Sequence, residues 1–490
     1  MDPGPGFCQL PAMSGGIPTW PFVVLHYAIT ALVVWRVLLR DNLLPTVRLA
    51  WVMVVALLPV AGPVAYLLFG EVRLSRADRR HARDVERRLR AAWDPDDAHA
   101  AIPPEVEPAF AMGRATSDFP PVGGNRATML PEDDSAIDDM IAAIESARDH
   151  VHVLFYIWLP DRSGTRMAEA AARAAGRGVA VRVLVDQLGS RRLIRSPLWG
   201  RMQAAGVTCR VALPIGNPLI ETFYKRLDLR NHRKIVVVDN RVTWAGSRNC
   251  ADMAFAIKPK FAPWIDLLMR IEGPVVRQFQ AVFLSDWMIH SDEDLSQLLT
   301  GAPPPLRGGF VGQVVASGPD QSISGMAETL AAMLYSAHDR VTITTPYFLP
   351  DSALHEAVCA AARRGVAVTL ILPERNDSRI LGAASEGLYH SLLMSGVSIQ
   401  LFRGGLLHAK IMTVDGHFAM IGSANLDRRS FDLNYECNLM LYSRQETALL
   451  DTRQESYLAR SRPVTRAELR CWSALRRIRN NAVALAGPLL

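Results

Sequence analysis

Lysine is scarce in this chain. Of its 54 basic residues only Lys225, Lys234, Lys258, Lys260 and Lys410 are lysines, and all the others are arginines. A lysine-rich coat for nucleic acid is therefore a poor reading, whereas arginine-based attraction to phosphate stays open. Cysteine is sparse too. Cys8, Cys209, Cys250, Cys359, Cys437 and Cys471 lie far apart with no Cys-x-x-Cys pair, which argues against a zinc ribbon or a disulfide scaffold and fits a reduced compartment. Nor is there a compact His/Asp/Glu group at metal-ligand spacing, so neither a metal nor another cofactor is expected. With 49% hydrophobic and 21% charged residues the chain is not disordered, and 490 residues exceed what one core usually fills.

Charge is missing altogether from two stretches near the N-terminus. Met13 to Trp35 runs 23 residues and Leu49 to Gly70 runs 22, each long enough to cross a hydrocarbon core of roughly 30 Å as a helix. Pro59, Gly62 and Pro63 also allow the second to kink or re-enter. Eight arginines follow between Glu71 and Arg90, which by the positive-inside rule puts the rest of the chain on the cytoplasmic side. An acidic, Pro/Gly-rich stretch then reads as a linker. The expected layout is a membrane anchor over 1–70, a basic juxtamembrane segment and linker over 71–121, and domains over 122–300 and 301–490.

The two domains read as copies of one unit. Strand-like Val151–Leu159, an Ala-rich helix, Arg177-Gly178-Val179 and a further strand recur as Val341–Phe348, another Ala-rich helix, Arg364-Gly365-Val366 and a strand. The offset stays near about 190 residues, the mark of a duplicated strand–helix–strand unit.

The sharpest repeat carries chemistry. His232, Lys234, Asp239, Gly246, Ser247 and Asn249 recur without slip as His408, Lys410, Asp415, Gly422, Ser423 and Asn425, both sets fitting H-x-K-x4-D-x6-G-S-x-N. Residues i and i+2 of a strand share a face, so each histidine projects with its lysine. A returning strand would bring Gly-Ser-x-Asn alongside, where glycine permits close approach and the hydroxyl and amide can donate to an anionic oxygen. Two such sets suit a phosphoryl group attacked in line, with one imidazole as nucleophile and the other protonating the leaving oxygen. The lysines neutralise the phosphate, so this chemistry calls for no metal. Asp239 and Asp415 are either catalytic or turn-stabilising on this reading.

The doubled pattern resembles the phospholipase D superfamily. Asn231-His232-Arg233-Lys234, Trp264-Ile265-Asp266, Glu272-Gly273-Pro274, Thr345-Pro346-Tyr347-Phe348, Ser317-Gly318-Pro319-Asp320, Asp427-Arg428-Arg429-Ser430 and Asn434-Tyr435-Glu436 are similar to those of bacterial cardiolipin synthases, as is the apolar N-terminus. The resemblance implies an α/β fold: two pseudo-twofold-related phospholipase D-like domains with mixed β-sheets flanked by helices, preceded by a two-segment transmembrane or re-entrant hairpin. It implies a metal-independent transesterification through a phosphatidyl-histidine. By analogy His232 is the nucleophile and His408 the general acid and then base, with the roles exchangeable. Lys234, Lys410, Asp239 and Asp415 complete the expected catalytic set, and Ser247, Asn249, Ser423 and Asn425 the phosphate donors. Asp266 and Glu436 are expected to orient the histidines or to form plain ion pairs.

The expected reaction joins two phosphatidylglycerol molecules into cardiolipin and glycerol, in a multi-pass protein of the bacterial inner membrane. The expected partners are phosphatidylglycerol, other anionic phospholipids and the bilayer, and not nucleic acid; a homo-oligomer stays open. A phospholipase releasing phosphatidic acid and a transferase with another acceptor alcohol are the alternatives. Three further segments could touch lipid or simply pack: Gln187–Gly200, Leu213–Arg230, and the C-terminal stretch with Arg470, Trp472, Leu475, Arg476, Arg477, Ile478 and Arg479.

Overall fold

The computed structural model describes residues 20–40, 43, 45–71, 76–93, 100–216, 226, 228–300, 308–319 and 324–485. It separates into two compact units, 1–71 and 72–488.

In the N-terminal unit, Trp20–Leu38 is an apolar 19-residue helix, long enough to cross a bilayer. The second apolar run is not one helix. It breaks into Pro45–Leu57 and Ala61–Phe69 because Pro59 has no N–H to donate and Val60 turns into the left-handed region (φ 62°). Thirteen helical residues span only about 20 Å, short of a hydrocarbon core. Val33, Val37, Val47, Trp51, Val55 and Tyr66 pack together inside this unit. The carboxylate of Glu71 accepts from Arg36 Nε at 2.6 Å, from Tyr66 Oη at 2.9 Å, and from Arg40. This closes the hairpin on itself at its polar end.

The larger unit is built on one mixed sheet, of sixteen strands among the described residues. In the first half Thr208–Ala212, Ala180–Asp186 and His150–Phe155 run parallel. Lys234–Val238, Val242–Gly246, Leu268–Glu272 and Val122–Met129 then follow antiparallel. The second half repeats this order with Ser398–Phe402, Ala367–Pro373, Arg340–Thr344, Ile411–Val414, Phe418–Gly422, Asn434–Tyr442 and Phe310–Ser317. Val122–Met129 pairs with Phe310–Ser317, so both halves share one sheet. Even the caps match: Asp161 accepts from the Gly164 N–H and Asp351 from the Leu354 N–H, each opening an Ala-rich helix. Branched residues at the four positions Ile235, Val236, Val237 and Val238 of one such strand account for burial on both faces.

Within the stretch read as a juxtamembrane segment and linker, the described residues include two packed helices. Arg76–Ala92 is a helix whose Val85 and Leu89 enter the core shared by both halves, while Arg79, Arg83, Arg87 and Arg90 face outward. Glu107–Ser117 is another, with Val106, Ala109 and Phe110 buried in the second half's core. Apolar residues at helical spacing decide this over the local proline content. Leu193 and Leu198 are likewise buried, so Gln187–Gly200 contains packed connecting helices. Of Leu213–Arg230, residues 217–225 and 227 lie outside the described residues.

Candidate active site

The site forms where the halves exchange short strands. Arg230–Asn231, just before the first motif, pairs parallel with Asn434–Tyr435, and Leu406–Leu407, just before the second, pairs parallel with Trp264–Ile265. The His232 N–H therefore donates to the Tyr435 carbonyl at 2.9 Å, and the His408 N–H to the Ile265 carbonyl at 2.7 Å. The next residue of each foreign strand is acidic, and it lands on the histidine ring.

His232 Nδ1 lies 3.0 Å from both carboxylate oxygens of Glu436, and His408 Nδ1 lies 2.6 Å from Asp266 Oδ1. Both carboxylates are buried. Burial alone would raise them, but the histidine, lysine and serine beside each together outweigh it and both end at about 2. An ionised carboxylate only accepts, so each Nδ1 must carry the proton and each Nε2 is the free nitrogen. Burial pushes the His232 imidazole down to about 4 and also lowers His408, with the carboxylates opposing it. Burial thus favours the neutral form of both rings, against the pull of their carboxylates.

Lys234 Nζ donates to the His232 carbonyl and Lys410 Nζ to the His408 carbonyl at 2.6 Å, which folds each ammonium back beside its own imidazole. Both are buried. Burial lowers Lys234 to about 8 and Lys410 to about 7 against the pull of Glu436 and Asp266.

The remaining expected residues divide. Ser247 Oγ donates to Asp266 at 2.7 Å and Ser423 Oγ donates to Glu436. Each also accepts a backbone N–H, from Leu267 and Cys437. A hydroxyl has one proton, and here it is committed to the carboxylate. The serine hydroxyls, expected as phosphate donors, thus support the carboxylates in this structure. Asn249 and Asn425 are buried; Asn249 Oδ1 accepts the Ile157 N–H, which leaves its amide N–H groups to donate elsewhere. The glycines let the strands close up, since a Cβ at Gly246 would sit 2.1 Å from the Leu267 carbonyl oxygen.

Asp239 and Asp415 are corrections to the expected catalytic set. The Asp239 carboxylate accepts the N–H groups of Arg148, Asp149 and His150 at 2.8–2.9 Å. Asp415 does the same for His338, Asp339 and Arg340. Both sit at tight turns with positive φ (50° and 51°), at the far end of the motif strand from its histidine. Burial raises the Asp239 carboxyl, but the three N–H donors prevail and hold it low. These are turn locks.

Several contributors were not singled out as functional from sequence. Arg233, the variable residue of the first motif, pairs with Asp286 at 2.6 Å and donates to the Glu436 and Ser317 carbonyls. Its buried counterpart in the second motif is Ala409, so only one copy carries this brace. Asn434 Nδ2 adds a donor to Glu436 at 3.1 Å. Tyr156 stands edge-on to the His232 ring at 4.9 Å between centroids, and Trp264 lies 4.7 Å from the His408 ring. Aromatics near the motif were visible in the sequence, but not which histidine each would flank. Among the described residues no three His, Cys, Asp or Glu side chains gather as a metal site would require.

Two repeats that present paired imidazoles, each backed by the other repeat's carboxylate and flanked by lysines, define a phosphatidyltransferase of the phospholipase D type. The family model described as "Cardiolipin synthase, PLD-like domain" matches residues 140–287 and 330–457, and one described as "Phospholipase_D-nuclease N-terminal" matches 28–71. The chain is 36% identical to cardiolipin synthase A of Serratia proteamaculans, over 92% of this chain and 94% of that one. It is 34% identical to the protein of that name from Edwardsiella ictaluri, over 90% and 92%. The fold is also that of a phosphatidylserine synthase structure from Haemophilus influenzae, with a TM-score of 0.57 and 14% identity over 78% of this chain and 100% of that one. The chain belongs to the family of cardiolipin synthases with PLD-like domains. It is a membrane-associated enzyme.

Proposed function

We propose that the chain joins two phosphatidylglycerol molecules into cardiolipin and glycerol through a phosphatidyl-histidine. His232 Nε2 attacks phosphorus, the bond to the headgroup glycerol oxygen breaks, and protonated His408 gives its Nε2 proton to that oxygen. The headgroup hydroxyl of a second phosphatidylglycerol then loses its proton to His408 Nε2 and attacks phosphorus, releasing His232. Lys234 and Lys410 offset the charge of the non-bridging oxygens, with the amides of Asn249 and Asn425 as further donors. The arriving phosphodiester anion raises the imidazole that must be protonated.

The observation that carries this reading is the crossed pairing of His232 with Glu436 and His408 with Asp266, which leaves both Nε2 atoms unprotonated or protonatable beside two cations. The arginine-rich helix Arg76–Ala92 after the apolar hairpin supports a cytoplasmic catalytic unit. The split second apolar run supports a hairpin in which only Trp20–Leu38 crosses fully.

The test is lipid analysis of the full chain in proteoliposomes containing phosphatidylglycerol alone. Cardiolipin plus equimolar glycerol is expected, and His232→Ala and His408→Ala should each abolish it. Phosphatidic acid as the product would replace this reading with a phospholipase, and near-normal turnover by either variant would remove the chemistry.

A further inference from the structure

The C-terminal helix Ala474–Leu485 turns opposite sides to opposite environments. Its inner side packs on the helix Arg379–Ser395: Asn480 is buried, and Arg476 and Asn480 donate to Glu386 at 2.9 Å and 2.7 Å. Gly387 makes this approach tight, because a Cβ there would lie 3.1 Å from Ala484 Cβ and from the Asn480 carbonyl oxygen. On the far side, Leu475, Ile478 and Leu485 share a face by helical spacing and are 78%, 64% and 79% exposed. A surface helix normally turns such residues toward the core.

Beside this helix lies a cavity of about 560 Å³ lined by His390, Leu393, Met394, Arg470, Trp472 and Arg477. The ion pairs of this region are Arg462–Glu468, Arg476–Glu386 and Arg479–Glu386, so both carboxylates are already engaged. Arg470 and Arg477 enter no ion pair among the described residues. The outward part of this helix thus presents an exposed apolar ridge flanked by Arg477, while the recess at the seam with Arg379–Ser395, lined by Arg470 and Arg477, opens beside it.

We propose that this face docks on a bilayer containing anionic phospholipid. Leu475, Ile478 and Leu485 enter the boundary between headgroups and acyl chains, while Arg470 and Arg477 bind headgroup phosphates at the recess. Charge selects this occupant over a second copy of the chain. A twofold contact through the same face would set these arginines against their own counterparts.

The experiment uses the full chain with Ile478→Cys carrying an environment-sensitive fluorophore. Cys8 and Cys471 are replaced by serine, since the other cysteines, Cys209, Cys250, Cys359 and Cys437, are buried. In proteoliposomes of phosphatidylcholine mixed with phosphatidylglycerol, the emission should shift to the blue and iodide quenching should fall severalfold relative to detergent. Adding Arg470→Gln and Arg477→Gln should lower the docking equilibrium constant roughly fivefold per arginine. Three outcomes would each overturn the proposal: iodide quenching as strong as in detergent, equal protection in pure phosphatidylcholine, or protection in detergent that grows with protein concentration. The last would assign the face to a second copy.

Discussion

Glu436 holds His232 from 204 residues away, with both of its oxygens 3.0 Å from Nδ1, and it is itself held by Ser423 and Asn434. Asp266 holds His408 from the opposite direction across 142 residues, with Ser247 as its own support. Neither half therefore contains a complete acid–base unit: each supplies an imidazole and the carboxylate for the other's.

Replacing these carboxylates by amides should act through the imidazole. In Glu436→Gln or Asp266→Asn the amide can donate to Nδ1, which favours the tautomer with the proton on Nε2. We expect kcat to fall by about 10²–10⁴, with little change in the KM for phosphatidylglycerol. Steady-state kinetics in proteoliposomes check this; a loss confined to KM would place the carboxylates on substrate instead.

Asp239→Ala and Asp415→Ala should cost stability rather than chemistry. Each removes a carboxylate that accepts three backbone N–H groups at a turn. A loss of about 2–4 kcal/mol is expected, read as a lower Tm, with kcat per folded molecule within a few-fold of the parent.

The serines and asparagines should separate kinetically. Ser247→Ala and Ser423→Ala leave the substrate contacts alone but loosen a carboxylate, so kcat should drop about tenfold at constant KM. Asn249→Ala and Asn425→Ala remove proposed phosphate donors and should raise KM as well. Equal KM effects in both pairs would return the serines to the phosphate.

The pH dependence of KM should reside in the lysines. Burial lowers Lys234 to about 8 and Lys410 to about 7, so both ammonium groups are fully charged only below that range. Capture of the anionic headgroup should weaken as pH rises through about 7 to 8, seen as a rising KM. Glu436 and Asp266, held near about 2, stay ionised throughout and add no limb of their own.

The chemical groups and their doubling were legible in the chain itself. H-x-K on an apolar strand specifies a histidine and a lysine on one face, and a repeat offset near about 190 residues implies two equivalent faces. The long apolar runs were legible as well. Pro59, Gly62 and Pro63 allowed a kink in the second, and the backbone places the break at Pro59 and Val60. Asp239 and Asp415 were hard to assign because a motif spacing carries no distance to substrate. Strand rise moves them five residues beyond the lysine, into a turn where three N–H groups need an acceptor.

What the sequence by itself determined is the inventory: two imidazoles, two ammoniums, two acidic residues after the motifs, and an arginine-rich chain behind an apolar hairpin. Only the tertiary structure decided which carboxylate serves which histidine. That choice rests on strand pairing, Arg230–Asn231 on Asn434–Tyr435 and Leu406–Leu407 on Trp264–Ile265. Such pairing is set by global register between distant segments, and no local pattern of side chains encodes it.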